Sequence, residues 1–292
     1  MGLDQCSTNP LTKCQNGAMQ REDVMMKRIG FAVSALSLSL AAVAYADDEN
    51  KDYMHPGAAQ DFVHGAPEYP SEPWLLAAGG RIYDDWASAL DRDEVEGTNP
   101  AYPVAANADQ TGYGTWRCKE CHGWDYLGKD GIYSKGSHFT GIAGINGAIG
   151  KPVDQIAATL RDANHPYTVE MISDEEMLRV AAFVSRGQVD MRSFLDYETR
   201  TVNKGDVNRG REIFQTTCAA CHGFDGRLMD WGSDGNHNYV GTEAVEVPDE
   251  VMNKILNAHT GVQMINLRAF PFEYAVDVIA YAATLPLDPP KQ

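Results

Sequence analysis

The sequence predicts a mainly α-helical fold built from two similar units. A motif of two cysteines and one histidine occurs twice, 100 residues apart, and each copy precedes a stretch whose apolar residues recur at helical spacing. Few stretches show the alternation that is typical of a strand. The helically spaced apolar residues are Met177, Val180, Ala181 and Val184 after the first motif, and Val276, Ile279, Ala280 and Ala283 after the second.

Length and composition favour a globular protein that does not bind nucleic acid. The 292 residues suffice for one large or two ordinary domains, and 43% of them are hydrophobic, so a packed core can form. The formal net charge is -17. Nucleic acid is an unsuitable partner because phosphate contacts require an excess of Lys and Arg. The charge suits a basic protein partner, a saline habitat, or both.

The N-terminal segment has the pattern of a secretory signal. Residues 26–28 (Met-Lys-Arg) are basic, residues 29–43 are apolar, and residues 44–46 (Ala-Tyr-Ala) form a small-x-small cleavage site. We predict a signal peptide over 26–46, cleaved after Ala46, and hence a periplasmic protein. The alternative is an uncleaved membrane anchor. Residues 1–25 precede this credible start and are expected to be a spurious upstream extension.

The repeated motif is C-x-x-C-H, the attachment signature of c-type haem. The cysteines are Cys118 and Cys121 in the first copy and Cys218 and Cys221 in the second, and each copy ends in a histidine, His122 or His222. The thiols bind the porphyrin covalently, and the adjacent histidine is the proximal ligand of the iron. A zinc site or a thiol redox pair is the competing interpretation. Beyond residue 46 the chain has no other cysteine, so the sequence predicts two haem c groups.

Each unit resembles a class I cytochrome c domain. That family has an N-terminal helix, the C-x-x-C-H motif, a loop that carries the distal ligand, and a C-terminal helix that packs on the first. Residues 79–86 resemble the N-terminal helix in the first unit, and residues 208–214 resemble it in the second. The resemblance covers most of 74–285. Residues 91–117 depart from the pattern, and we interpret them as a wrapping loop.

The resemblance and the composition together divide the chain into segments. We predict an extended N-terminal arm over 47–73, a first cytochrome c domain over 74–190, a polar linker over 191–206, and a second domain over 207–287. Each domain is expected to wrap around one covalently bound haem.

The distal ligand of the second unit is predicted to be Met264. The resemblance places a ligand in the loop before the last helix, where Met264 lies. The alternative is that Met264 fills the core and that Met252 or His259 is the ligand. Methionine or histidine usually stands opposite the proximal histidine in electron-transfer haems.

The matching position in the first unit is His165. His165 lies 43 residues after His122, whereas Met264 lies 42 residues after His222. Met171 is the alternative ligand, and His138 is expected to contact a propionate or a loop instead. If His165 is the ligand, the first haem has two histidines and the lower potential, because methionine ligation raises the potential.

These features predict a periplasmic dihaem cytochrome that passes single electrons from a donor oxidoreductase to a downstream acceptor. Its partners would be redox proteins with a basic docking face, and membrane association would come only through a partner or an uncleaved signal. The alternative is a dihaem enzyme of the thiosulfate dehydrogenase type, or the electron-transfer subunit of a sulfur-compound oxidoreductase. Thiosulfate dehydrogenases use a cysteine as distal ligand, and here no cysteine is spare, so a carrier is favoured over an enzyme.

Overall fold

A computed structural model describes residues 66–103, 110–233 and 235–289. The predicted signal peptide, the upstream extension and most of the predicted arm lie outside these residues. The described part is mainly helical, as predicted. Its α-helices are α1 (Glu72–Ala89), α2 (Cys118–His122), α3 (Val153–Thr159), α4 (Asp174–Arg186), α5 (Val207–Ile213), α6 (Ala219–His222), α7 (Val240–Glu246), α8 (Pro248–Asn257) and α9 (Phe272–Ala282), and its two strands are β1 (Leu195–Asp196) and β2 (Thr201–Val202).

Side-chain caps fix where the two long helices of the first unit begin. The Ser71 hydroxyl accepts a hydrogen bond from the Trp74 amide, so α1 begins at Glu72, two residues before the predicted start of the unit. Ser173 and Glu176 form a capping box at the start of α4. The two helices then pack against each other.

A glycine stands where the first and last helices cross in each unit. α1 packs on α4, and α5 packs on α9. A Cβ atom on Gly79 would collide with the Arg179 carbonyl of α4, and one on Gly210 would collide with the Asp277 carbonyl of α9. Glycine therefore allows the backbones to approach closely at both crossings.

The main hydrophobic core runs through both predicted units. Trp86 and Phe183 of the first unit belong to the same buried cluster as Met252 and Ile279 of the second. Burying one such side chain contributes about 2 kcal/mol relative to exposing it. A separate, smaller cluster lies in the second unit and consists of Phe214, Ala219, Ala244, Ala282 and Leu285. The two units therefore share one core, with a satellite cluster next to the second motif.

One face of α8 carries three fully buried polar residues at successive turns, Asp249, Asn253 and Asn257. Asp249 accepts a hydrogen bond from Arg200 Nη2 at 2.7 Å. The Asn253 amide donates to the Tyr126 hydroxyl at 3.2 Å. α8 therefore joins the second unit to the first through specific polar contacts as well as through the core.

A buried carboxylate adds a charged contact between α8 and α1. Asp84 of α1 is fully buried and pairs with Lys254 of α8 and with Arg117 beside the first motif. Burial alone would raise the pKa of Asp84, but the two cations outweigh it and lower the pKa below its ordinary value. The carboxylate is therefore charged at neutral pH.

The predicted linker and the predicted wrapping loop are both packed into the fold. Within 191–206, the apolar residues Met191, Phe194 and Leu195 are buried in the main core, and β1 pairs antiparallel with β2. The prediction weighed the polar residues of this segment and missed the apolar ones. In the loop over 91–117, Trp116 is buried and its indole donates to the Gly97 carbonyl at 3.0 Å. Among the described residues, no helix is long and apolar enough to cross a membrane.

Candidate haem-binding sites

The two C-x-x-C-H motifs end in the same helical turn, although Cys118 follows an extended residue whereas Cys218 continues the helix that begins with α5. The helical turn ends at Gly123 in the first copy and at Gly223 in the second, with positive φ angles of 77° and 80°. The Gly123 amide donates to the Lys119 carbonyl at 2.8 Å, and the Gly223 amide donates to the Ala219 carbonyl at 2.9 Å. The turn presents the two cysteines and the histidine from one short segment in both copies.

The similarity continues through the next turn. The carbonyl of His122 accepts a hydrogen bond from the Gly128 amide at 2.8 Å, and the carbonyl of His222 accepts one from the Leu228 amide at 3.0 Å. Four residues after the histidine, φ is positive in both copies, at 66° and 74°. That position is Tyr126 in the first copy and Gly226 in the second. The repeat is therefore visible in the backbone even where the residues differ.

A cavity of about 770 Å³, which we call the His122 cavity, adjoins the first motif. Cys118, Cys121 and His122 lie on its wall, and His165 also lines it. Further lining residues are mostly apolar or aromatic: Tyr83, Tyr102, Ile142, Ile145, Ala148, Ile156, Leu160, Tyr167, Val180 and Val184. A large, mainly apolar cavity with two thiols and an imidazole on its wall suits a covalently bound porphyrin.

The two histidines of this cavity are separated by a distance that suits one metal ion between them. The ring centroids of His122 and His165 are 6.2 Å apart, and the ring planes differ by 21°. Two imidazole nitrogens that each bind a metal at about 2 Å place the ring centroids about 6 Å apart. The pair of residues predicted as axial ligands of the first haem is thus brought together by the fold.

Each of these histidines donates its Nδ1 hydrogen to an oxygen, which leaves Nε2 as the basic nitrogen. His122 Nδ1 lies 2.8 Å from the Ala143 carbonyl oxygen, and His165 Nδ1 lies 3.1 Å from Asp162 Oδ1. Burial lowers the pKa of His122 to about 4. The imidazole is therefore neutral at neutral pH, which is the form that binds a metal.

The cysteine thiols are protonated in this environment. Burial raises the pKa of Cys118 to about 11 and that of Cys121 to about 12. In the second motif, burial raises the pKa of Cys218 to about 11. A zinc site or a reactive thiol pair would instead need thiolates, whose formation burial opposes.

Met171 and His138, the other residues considered for the first haem, make contacts away from the ring of His122. Met171 does not line the His122 cavity, and its sulfur lies 3.5 Å from the Thr168 amide. His138 stacks on Tyr133 at 4.7 Å and pairs with Glu120 of the first motif at 2.9 Å. Of these three candidates, His165 is the one that lies opposite His122.

The second motif is more open than the first. His222 Nδ1 is buried but has no hydrogen-bond partner among the described residues, and burial lowers the pKa of this histidine. Trp231 lies beside its ring at 5.9 Å. Large apolar side chains near the motif and on the loop before α9 are exposed to solvent: Phe224, Leu228, Trp231, Val262, Ile265 and Phe270. An apolar group such as a porphyrin would cover surface of this kind.

The candidate ligands of the second unit occupy distinct places. Met264 is half-buried on the loop between α8 and α9, as predicted. Met252 is fully buried in the main core, and His259 Nδ1 lies 2.7 Å from the Thr260 carbonyl. The pairing of Met264 with His222 remains a prediction.

Residues 205–281 match the family described as cytochrome c oxidase, cbb3-type, subunit III. This range contains the second motif, α5 to α8 and nearly all of α9, and it shows a cytochrome c domain in this part of the chain. This domain supports an electron-transfer haem protein of the c type. No curated protein and no solved structure matches the chain.

Sequence reasoning missed the two hydrogen-bond acceptors of the ligand histidines in the first unit. Asp162 precedes His165 by three residues. This spacing could have predicted the contact, because an Asp side chain often accepts hydrogen bonds from residues two or three positions later in the chain. Ala143 acts through its backbone carbonyl, so its residue type carries no information about this role.

Proposed function

We propose that this protein is a periplasmic dihaem c-type cytochrome that carries single electrons between a donor oxidoreductase and a downstream acceptor. One haem c would be attached to Cys118 and Cys121, with His122 and His165 as axial ligands. The other would be attached to Cys218 and Cys221, with His222 and Met264 as axial ligands. Bound haem would supply a one-electron iron couple at each site.

The observation that carries the dihaem proposal is the placement of His165 opposite His122. The sequence predicts His165 from its position in the repeat, and the cavity that both rings line has the size and the mainly apolar lining that a porphyrin requires. The matched family covers the second motif but not the first. The geometry of the first site and the family match of the second therefore support the two haems by independent routes.

The residues around the first site would hold the iron in six-coordination and limit the access of water. The Ala143 carbonyl fixes His122 in the tautomer whose Nε2 is free, and Asp162 does the same for His165. The apolar walls, among them Ile156, Val180 and Val184, lower the local polarity. Two strong-field ligands leave no open coordination position, which favours electron transfer over substrate chemistry.

Different ligand sets would give the two haems different potentials. The first, with two histidines, would have the lower potential, and the second, with histidine and methionine, the higher. Electrons would then pass downhill from the first unit to the second. The shared core and the polar contacts of α8 would keep the two sites at a fixed separation.

The charge of the protein favours a basic redox partner. With a net charge of -17, the surface would steer a cationic docking face by long-range attraction. Reduction by the physiological donor should therefore slow as ionic strength rises, because salt screens the attraction. A rate that does not depend on salt would assign the acidic charge to solubility or to a saline habitat.

Intact-mass measurement of the exported protein tests haem number and export together. The protein should begin at Asp47 and carry the mass of two covalent haems, produced in a host that matures cytochromes c. Cys118→Ala with Cys121→Ala should remove one haem, and Cys218→Ala with Cys221→Ala should remove the other. A wild-type mass with one haem or none would overturn the dihaem proposal.

Absorption spectra of single variants test the axial ligands. Oxidised haem with a methionine ligand has a weak sulfur-to-iron charge-transfer band in the far red, and haem with two histidines lacks it. Met264→Ala should abolish the band, whereas His165→Ala should leave it and should open the first haem to added ligands. If Met171→Ala weakens the band and His165→Ala changes nothing, Met171 is the ligand of the first haem.

A further inference from the structure

We propose that Asp162 is a positioning residue that orients His165 and, through its negative charge, lowers the redox potential of the first haem. The proposal rests on the proposed function, in which His165 is an axial ligand. It goes beyond that function because it assigns part of the difference in redox potential between the two haems to a carboxylate that does not bind the iron.

A single carboxylate oxygen holds the loop that carries His165. Asp162 Oδ1 accepts hydrogen bonds from the Asn164 amide at 2.8 Å, the His165 amide at 3.1 Å and His165 Nδ1 at 3.1 Å. The first two bonds fix the backbone that leads into His165, and the third fixes the ring. Because Nδ1 is engaged, Nε2 is the nitrogen left to face His122 across the cavity.

The acceptor of His165 differs in charge from the acceptor of His122. His122 donates to the neutral carbonyl of Ala143, whereas His165 donates to a carboxylate. A carboxylate acceptor makes the imidazole a stronger donor to a metal than a carbonyl does. A more basic ligand and a nearby negative charge both stabilise ferric iron relative to ferrous iron, and so they lower the potential.

The cation next to Asp162 in the chain does not neutralise this carboxylate. Arg161 directs its guanidinium elsewhere, to Asp174 at 3.0 Å and to the Tyr167 and Ile172 carbonyls at 2.9 and 2.6 Å. Arg161 therefore leaves the exposed Asp162 carboxylate its negative charge, although exposure to water weakens its field.

Asp162→Asn in the holoprotein tests the charge separately from the geometry. An asparagine keeps an oxygen that can accept the same three hydrogen bonds, so the loop and the ligation should persist. In a potentiometric titration, the ferric-to-ferrous ratio of the first haem at a fixed potential should fall by up to about tenfold, which equals about 59 mV for a one-electron couple. The hydrogen bonds described for Asp162 all stay within its own loop, so the second haem serves as an internal reference and its potential should shift less than that of the first.

Asp154→Asn is the matched control. Asp154 of α3 is also exposed and precedes the same loop, but within the described part of the chain no hydrogen bond or ion pair joins it to His165. An Asp162→Asn potential equal to that of wild type or of Asp154→Asn would overturn the proposal. Electron paramagnetic resonance separates this failure from failure of the proposed ligation. If the wild-type spectrum shows no bis-imidazole haem and His165→Ala leaves it unchanged, His165 is not a ligand and both proposals fall.

Discussion

His122 borders a cavity lined by side chains from the loop over 91–117, α1, α3 and α4, whereas the apolar side chains near His222 are exposed to solvent. His122 and His165 each have an acceptor for Nδ1, but His222 Nδ1 has none among the described residues. The family match nevertheless falls on the second site alone. A match to a family model and a site whose candidate ligands already lie in position are therefore separate kinds of evidence, because here each is found for a different motif.

The same backbone turn serves both sites, so the difference lies in what packs around it. The first site borders the main core, and Tyr83, Tyr167 and Ile156 contribute to both. The second site borders the small cluster around Phe214. Loss of the first haem should therefore destabilise the main core more than loss of the second haem does.

The largest expected effect is the loss of the first haem. Cys118→Ala with Cys121→Ala would leave the His122 cavity, of about 770 Å³, without its haem next to the main core. The apolar walls would lose the contacts that a haem makes with them, which should cost at least as much as one large-to-small core substitution, about 2–5 kcal/mol. We expect the thermal unfolding transition of the variant, followed by circular dichroism, to shift to lower temperature.

The corresponding control is Cys218→Ala with Cys221→Ala, which should keep the main transition and loosen residues near Phe214. Hydrogen exchange resolves the two regions. If both double variants lose the same amount of structure, the first site is not more closely integrated with the core than the second.

The helix crossings give the next largest effect. Gly79→Ala and Gly210→Ala would each force a methyl group against a backbone carbonyl, that of Arg179 or that of Asp277. Overpacking at such a contact costs up to about 3 kcal/mol. Both variants should unfold at lower urea concentration than wild type.

Gly114→Ala is the control for this pair, because Gly114 has an ordinary φ and no described atom lies within 4 Å of the position that its Cβ would take. Its change in unfolding free energy should be within about 0.5 kcal/mol. Gly79→Ala should destabilise the main core, whereas Gly210→Ala should act mostly on the second unit. Equal changes in unfolding free energy for all three variants would refute the inferred close approach of the helices.

The contact between the predicted linker and α8 should contribute about 2 kcal/mol, less than a fully buried pair, because the Arg200 side chain is 35% exposed. Arg200→Ala would leave the fully buried Asp249 without its cation, and a buried unpaired charge is strongly destabilising. Arg192→Ala is the control: its pair with Asp190 is exposed on both sides, and such pairs contribute little. Urea unfolding at pH 7 measures both.

The pH dependence of this effect has a definite sign. Burial raises the pKa of Asp249 although Arg200 opposes it, so the folded state binds a proton more readily than the unfolded state does. The cost of the charged form is therefore present at neutral pH and disappears as pH falls through the raised folded pKa. Arg200→Ala should lose less stability at pH 4 than at pH 7, and an equal loss at both would show that Asp249 is already protonated.

The first and last helices of each unit (α1, α4, α5 and α9), the two motifs and the placement of His165 in the loop before α4 could be predicted, because each depends on local spacing or on the repeat. The helices α3, α7 and α8 were not predicted. The packing of Met191 and Phe194 was missed, because a few apolar residues in a polar segment show no period. The shared core was missed because contacts between distant parts of the chain leave no local pattern. Ala143 was missed because a backbone carbonyl can belong to any residue.

The smallest expected effect concerns the one position where the two turns differ most. Tyr126 holds the positive φ that Gly226 holds in the second copy, and a left-handed conformation costs a non-glycine residue about 1–2 kcal/mol. The Tyr126 side chain makes two contacts in this conformation. Its ring packs on Tyr83, and its hydroxyl accepts a hydrogen bond from the Asn253 amide of α8 at 3.2 Å. We infer that the strained tyrosine is part of the junction between the two units.

Tyr126→Phe keeps the ring and the backbone strain but removes the partner of a fully buried amide, which should cost about 1 kcal/mol in urea unfolding. Asn253→Ala should cost a similar amount, and the double variant should cost less than the sum, because either change alone already breaks the bond. If the two losses add without coupling, the hydroxyl does not hold α8, and the tyrosine is kept for its ring alone.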